Sequence, residues 1–120
     1  MKRLEDALQR DVIEYLQTVL PPRWLCFAIP NGSKRDKNGR PANWVPGIVS
    51  GIPDICILGR PSLTYFIELK APKGRVSEAQ GEIHDQLTEL LHHCRVCRSV
   101  DDVQAALALW GVPTREHKHK

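Results

Sequence analysis

No apolar run in the sequence approaches the roughly 20 residues that a membrane-spanning helix needs. The first ten residues, MKRLEDALQR, alternate charge where a secretory signal would carry an apolar core, so the chain is expected to remain in the cytoplasm. Internal repeats, coiled-coil heptads and low-complexity segments are also missing, which excludes solenoid and fibrous architectures. Only four cysteines are present (Cys26, Cys56, Cys94 and Cys97), and in a reducing compartment they are expected to be free thiols, not a disulfide framework. Nor does charge of one sign dominate: 17 Lys and Arg against 14 Asp and Glu leave +3, too little to name a nucleic-acid partner. What is present is 120 residues, 42% hydrophobic and 26% charged, the size of one globular domain. Such a chain can bury a core without metal or disulfide staples, so any metal is expected to be catalytic.

Leu4, Leu8, Val12, Tyr15, Leu16 and Val19 recur at helical spacing and predict an amphipathic first helix that Pro21 and Pro22 end. At 100° per residue these six fall within an arc of about 120°, with Glu5 inside it and Asp6, Asp11 and Glu14 outside. Trp24 to Ile29 reads as a short buried strand, followed by a long polar loop from Pro30 to Gly47. Asp54 to Leu58 and Leu63 to Lys70 are strand-like runs joined by Gly59-Arg60-Pro61-Ser62, a hairpin signal. Ser77 caps a second helix, Glu78 to about His93, with Gln80 in capping-box position. Cys94 to Ser99 alternates as a strand, and Asp101 to Trp110 closes the fold as a helix between Ser99 and Gly111. The expected fold class is therefore α/β (α+β), and the last residues, 114–120, read as a frayed tail.

Pro53-Asp54 at the head of one strand and Glu68-Leu69-Lys70 at the end of the next carry the chemistry. Residues two apart on a strand share a face, so Glu68 and Lys70 project together. If the turn comprises Arg60 to Ser62, Asp54 falls opposite Glu68; a turn one residue longer pairs Asp54 with Ile67. Two carboxylates at about 4 Å repel by roughly 4 kcal/mol at an effective dielectric of 20, a penalty that a cation removes. Oxygen ligands without thiolate or imidazole favour Mg²⁺, with Mn²⁺ as a substitute, and such an ion commonly takes phosphate oxygens. Lys70 adds a point charge on the same face, and Glu5, inward on the first helix, is a candidate third carboxylate.

This combination resembles the PD-(D/E)xK nuclease superfamily and, within it, the VRR-NUC (virus-type replication-repair nuclease) family. The words that carry the resemblance are the early helix with Glu5 (LEDALQRDVIEYL), Pro30-Asn31, Gly51-Ile52-Pro53-Asp54, Glu68-Leu69-Lys70, Ser77-Glu78-Ala79-Gln80 and the closing CRVCRSVDDV. They run in order from about residue 4 to 110. The resemblance implies one domain over residues 1–113 with a restriction-endonuclease-like αβββαβ core, its mixed central sheet flanked by helices. It implies that Asp54, Glu68 and the Leu69 carbonyl hold the metal, with Glu5 in or next to that shell through water, Lys70 as the catalytic lysine and Gln80 at the edge of the site. Stand-alone members are similar to bacterial or viral homodimers that cut branched DNA, four-way (Holliday) junctions in particular, in the course of DNA repair. A flap nuclease, or a nucleic-acid-binding module that keeps the fold without catalysis, is the alternative reading, and no membrane or small-molecule cofactor is implied.

The basic residues Lys34, Arg35, Lys37 and Arg40 suit phosphate contacts on the long loop, with Asn31 at its start, and Lys73 and Arg75 follow the catalytic strand. Trp44 could stack on an unpaired base or cover the core. Gln80 is explained equally by the capping box and by the site. Cys94 and Cys97 lie three apart on a strand, on opposite faces, with no second CxxC to complete a zinc site; the tail histidines His117 and His119 are expected to be inert.

Overall fold

The computed structural model describes residues 2–30 and 45–115. The amphipathic pattern of the N-terminus forms α1 (Lys2–Val19), and the strands β1 (Leu25–Ala28), β2 (Ile55–Gly59), β3 (Leu63–Leu69) and β4 (His93–Cys97) follow, with α2 (Glu78–Glu89) and α3 (Val100–Trp110) between and after them. The sheet order is β1-β2-β3-β4. The first three strands pair antiparallel and β4 joins β3 in parallel, so the sheet is mixed and α2 is the crossover between parallel neighbours.

One sheet face carries the core. Ile55 and Ile57 of β2, Tyr65, Ile67 and Leu69 of β3 and Cys97 of β4 meet Val12, Leu16 and Val19 of α1 and Val103, Ala106 and Leu107 of α3, all buried. Of the apolar arc on α1, Leu8 and Tyr15 pack at its margin, whereas Leu4 is exposed; Asp6, Asp11 and Glu14 are exposed as their positions on the helical wheel require. The Tyr65 ring stacks between Trp110 (5.0 Å), His93 (5.3 Å) and Trp24 (6.4 Å), which fastens the β1 edge and α3 to the central strand.

The hairpin takes the shorter of the two turns open to the sequence. Gly59 faces Leu63 and Ile55 faces Ile67, a register that extended by one residue sets Asp54 opposite Glu68. Ser62 closes the turn with φ 73°.

α2 ends at Glu89, earlier than the expected stop near His93. Its last turn closes with the Leu91 N–H on the Thr88 carbonyl and the His92 N–H on the Leu87 carbonyl, while Leu91 is left-handed at φ 69°. That is a Schellman closure, and a leucine in the place usually held by glycine hides it from sequence inspection. The strand consequently starts at His93 and finishes at Cys97, short of the expected Ser99. α3 closes in the same way, but with the glycine the sequence advertises: Gly111 has φ 73° and the Val112 N–H reaches the Leu107 carbonyl.

Candidate active site

Because side chains alternate along β3, the residues between those of the core, Phe66, Glu68 and Lys70, project from the other sheet face, on which α2 lies. Glu68 is 1% exposed and Lys70 9%, the only charged side chains among the buried residues described. A charge is tolerated there only with partners.

Asp54 is tied in place through its backbone. Its N–H donates to the Ile67 carbonyl at 3.1 Å and its carbonyl accepts from the Ile29 N–H at 2.8 Å, so it prolongs β2 between β1 and β3. Its Oδ2 accepts the Leu69 N–H at 2.7 Å, which locks the carboxylate onto the Glu68-Leu69 peptide. Asp54 also hydrogen-bonds the Glu68 side chain.

Two residues of α2 complete the surroundings of Glu68. Gln80 Nε2 donates to Glu68 Oε2 at 3.0 Å and His84 Nε2 lies 3.1 Å from Glu68 Oε1. Spaced four apart, the two fall on one helix face. The cap that starts the helix also aims the glutamine: Ser77 Oγ accepts the Gln80 N–H while Gln80 Oε1 accepts the Ser77 N–H. The two explanations for Gln80 thus hold together, because the carbonyl end of the amide serves the cap and the amino end serves Glu68.

The electrostatics follow from this crowding. Burial first, then the charge of Asp54 and the hydrogen bond to it, with a further push from Glu5, raise the Glu68 carboxyl to about 9; the Lys70 ammonium opposes them. Burial, aided by Lys70, lowers His84 from its ordinary value, against the pull of Asp85 and Asp54. Cys94 shares this sheet face, and burial together with the Glu68 charge pushes its thiol up to about 12. Cys97 belongs to the core on the opposite face, where burial pushes its thiol up to about 11. The two therefore do not converge on one ligand site.

Glu5 is half-buried near the start of α1, and its negative charge reaches Glu68 from that side. Lys73 and Arg75 are exposed on the segment that leaves β3. Asn31, Lys34, Arg35, Lys37, Arg40 and Trp44, like the tail histidines, lie outside the described residues. Sequence reading missed His84, Arg98 and the particular role of Gly51. His84 was legible only as the residue one helical turn beyond Gln80. Arg98 Nη1 donates to the carbonyls of Ala71 at 2.8 Å and Gly74 at 2.7 Å, so it pins the turn that follows Lys70.

Gly51 brings the approach to Pro53-Asp54 against the start of α2. It has φ 87°, and a Cβ there would stand 2.5 Å from the Ala79 carbonyl oxygen and 2.9 Å from the Gln80 nitrogen. Gly51→Ala therefore combines a left-handed backbone cost with overlap against backbone that cannot swing aside. Guanidinium denaturation is expected to show a loss of about 2 to 4 kcal/mol.

Among the described residues, no three His, Cys, Asp or Glu side chains converge into a ligand cage. Two opposed carboxylates beside the Leu69 peptide instead form an oxygen donor set of the kind that suits a hard cation keeping most of its own waters. Such a pair needs a proton or a cation between its members.

The sequence matches the family model described as the VRR-NUC domain over residues 34–101, a stretch that contains Asp54, Glu68, Lys70, Gln80 and His84 but not Glu5. No curated protein matches it. Among solved structures, one titled "VRR_NUC domain" superposes with a TM-score of 0.61 at 15% identity, covering 88% of this chain and 95% of that one. A second, titled "VRR_NUC domain protein", gives a TM-score of 0.54 at 21% identity over 87% of this chain and 84% of its own. At these identities the structures speak for the fold, and the family model, spanning more than half of the chain, speaks for the lineage. The chain belongs to the VRR-NUC domain family and has its nuclease fold.

Proposed function

We propose that the protein is a divalent-cation-dependent endonuclease that hydrolyses DNA phosphodiesters, acting on branched DNA, four-way junctions above all, as a homodimer in the cytoplasm. The observation that carries this reading is the pair of carboxylates, Asp54 and Glu68, set opposite each other on strands β2 and β3, one of them fully buried. Asp54, Glu68 and the Leu69 carbonyl are the groups that would hold Mg²⁺ or Mn²⁺, with Glu5 contributing through water. A bound ion of this kind would neutralise phosphate charge and lower the pKa of a coordinated water, easing its deprotonation for attack.

The chain's own groups do the rest. Asp54 keeps its orientation through the Leu69 N–H, and Glu68 through Gln80 and His84. Lys70, on the same face as Glu68 with its stem buried, presents an ammonium that stabilises negative charge developing on the phosphate and favours the ionised form of Glu68. Lys73 and Arg75, exposed just beyond, suit contacts to flanking phosphates. Two-fold pairing of protomers would present two such sites to a four-way junction.

The test is a cleavage panel of four-way junction, flap, splayed and linear duplex in Mg²⁺, run beside a mass measurement in solution. Cutting is expected, strongest on the junction, by a species of twice the chain mass. Equal cutting of all four substrates would remove the junction preference, and no cutting even in Mn²⁺ would leave a binding module with a nuclease fold.

A further inference from the structure

We infer that His84 is a positioning residue for the cation site: by donating Nε2–H to Glu68 Oε1, it fixes the carboxylate in the orientation that binds the ion. The inference rests on the nuclease reading above and extends it to a residue outside the Asp54, Glu68, Lys70 and Gln80 set.

Three observations carry it. His84 Nε2 stands 3.1 Å from Glu68 Oε1 while Gln80 Nε2 stands 3.0 Å from Oε2, so with His84 as the Nε2–H tautomer each oxygen of the ionised carboxylate has its own donor. Both donors come from one face of α2, whose first turn is clamped by the reciprocal Ser77–Gln80 cap, so the pair moves as a unit with the helix. Glu68 itself is 1% exposed and so has almost no contact with solvent water that could substitute for a lost donor. Each carboxylate oxygen has two lone pairs, so a donor on each leaves one lone pair per oxygen to face Asp54 and a cation. With Oε1 released, the carboxylate could turn about its terminal torsion, a soft and broad one, and the lone pairs would no longer be held toward Asp54. Outer partners of this kind commonly govern cation affinity by ten- to a hundredfold.

The experiment uses the full chain without DNA and Mn²⁺ as the probe, read by loss of the free-ion EPR signal on titration. His84→Asn is polar but too short to reach Glu68, and His84→Gln restores an amide N–H at about the reach of Nε2. We expect His84→Asn to weaken Mn²⁺ binding roughly ten- to a hundredfold and His84→Gln to recover most of it. Cleavage by His84→Asn should be low at limiting Mn²⁺ and approach that of the unaltered protein at saturation, a split that a merely packing role would not produce. Thermal melts in EDTA establish that each variant is folded. Should His84→Asn fail to fold, His84→Phe, which keeps the ring volume without the donor, takes its place.

Wild-type affinity in the donor-less variant overturns the inference, as does equal loss in His84→Asn and His84→Gln, which would make the imidazole itself a ligand. Glu68→Gln separates the levels of failure. If it loses Mn²⁺ while His84→Asn does not, only the role of His84 falls; if the unaltered protein binds no Mn²⁺, or Glu68→Gln binds it equally, the nuclease reading falls too.

Discussion

Glu68→Gln is expected to leave a folded protein that cuts DNA at least about a thousandfold more slowly in saturating Mg²⁺, the scale on which removal of a single charge-stabilising group acts. Folding should survive because the amide fits the site. Its oxygen can take the Gln80 N–H, and its NH₂ group can face His84, which becomes an acceptor by exchanging tautomers. The substitution also ends the repulsion between two carboxylates. What it removes is one of the two negative ligands, and with it the charge that pays for dehydrating the ion. Lys70→Met should lose at least about a hundredfold. It keeps the buried stem and deletes the ammonium that would meet negative charge developing on the phosphate. Single-turnover cleavage of a labelled junction measures both. Rates within about threefold of the unaltered protein in either folded variant would remove that residue from the chemistry.

How far the sequence could be read is clearest at individual residues. Strand alternation put Glu68 and Lys70 on one face because two-residue periodicity is a local rule, whereas hairpin arithmetic narrowed the partner of Asp54 to Glu68 or Ile67 and only the observed register chose Glu68. Gln80 was visible as a cap, by a rule equally local. His84 was not, because its meaning depends on the angle at which α2 crosses β4 and β3, a tertiary quantity without a local signature. The end of α2 was missed where Leu91 adopts a backbone conformation that sequence reserves for glycine. Gly51 appeared as one letter of a motif, yet the demand that it be glycine comes from the Ala79–Gln80 backbone, distant in the chain. Arg98, likewise, is an ordinary strand-end cation until its guanidinium is seen on the carbonyls of Ala71 and Gly74.

In EDTA the protein should become less stable as pH rises from 7 to 8.5, and Mg²⁺ should abolish the loss. Glu68 titrates near its ordinary 4.5 when unfolded but near 9 when folded, so in this window the folded chain holds a proton that the unfolded chain has released. The resulting stabilisation is complete below the unfolded value and is lost as pH climbs toward the folded one. Its slope is at most about 1.4 kcal/mol per pH unit, giving a loss of about 2 kcal/mol across the window. His84 acts with the opposite sign, since its lowered value makes the folded state the poorer proton binder, but most of that contribution lies below about pH 7 and only a small remainder extends above it. Burial raises the Cys26, Cys56, Cys94 and Cys97 thiols, so as the unfolded thiols begin to ionise they add a smaller loss of the same sign above about pH 8. Between 7 and about 8 the Glu68 proton therefore dominates the slope. A divalent cation takes the place of that proton, and because it competes with it, the stabilisation by Mg²⁺ should grow with pH as the proton becomes easier to displace. Guanidinium denaturation at fixed ionic strength, with EDTA or with 10 mM Mg²⁺ (roughly a saturating level for a water-rich carboxylate site), gives both curves. Glu68→Gln should flatten the EDTA curve below about pH 8, leaving only the thiol contribution above it, and be insensitive to Mg²⁺. A flat EDTA curve in the unaltered protein would mean that Asp54 and Glu68 coexist as carboxylates without proton or cation, and the strain that motivates the cation would be absent.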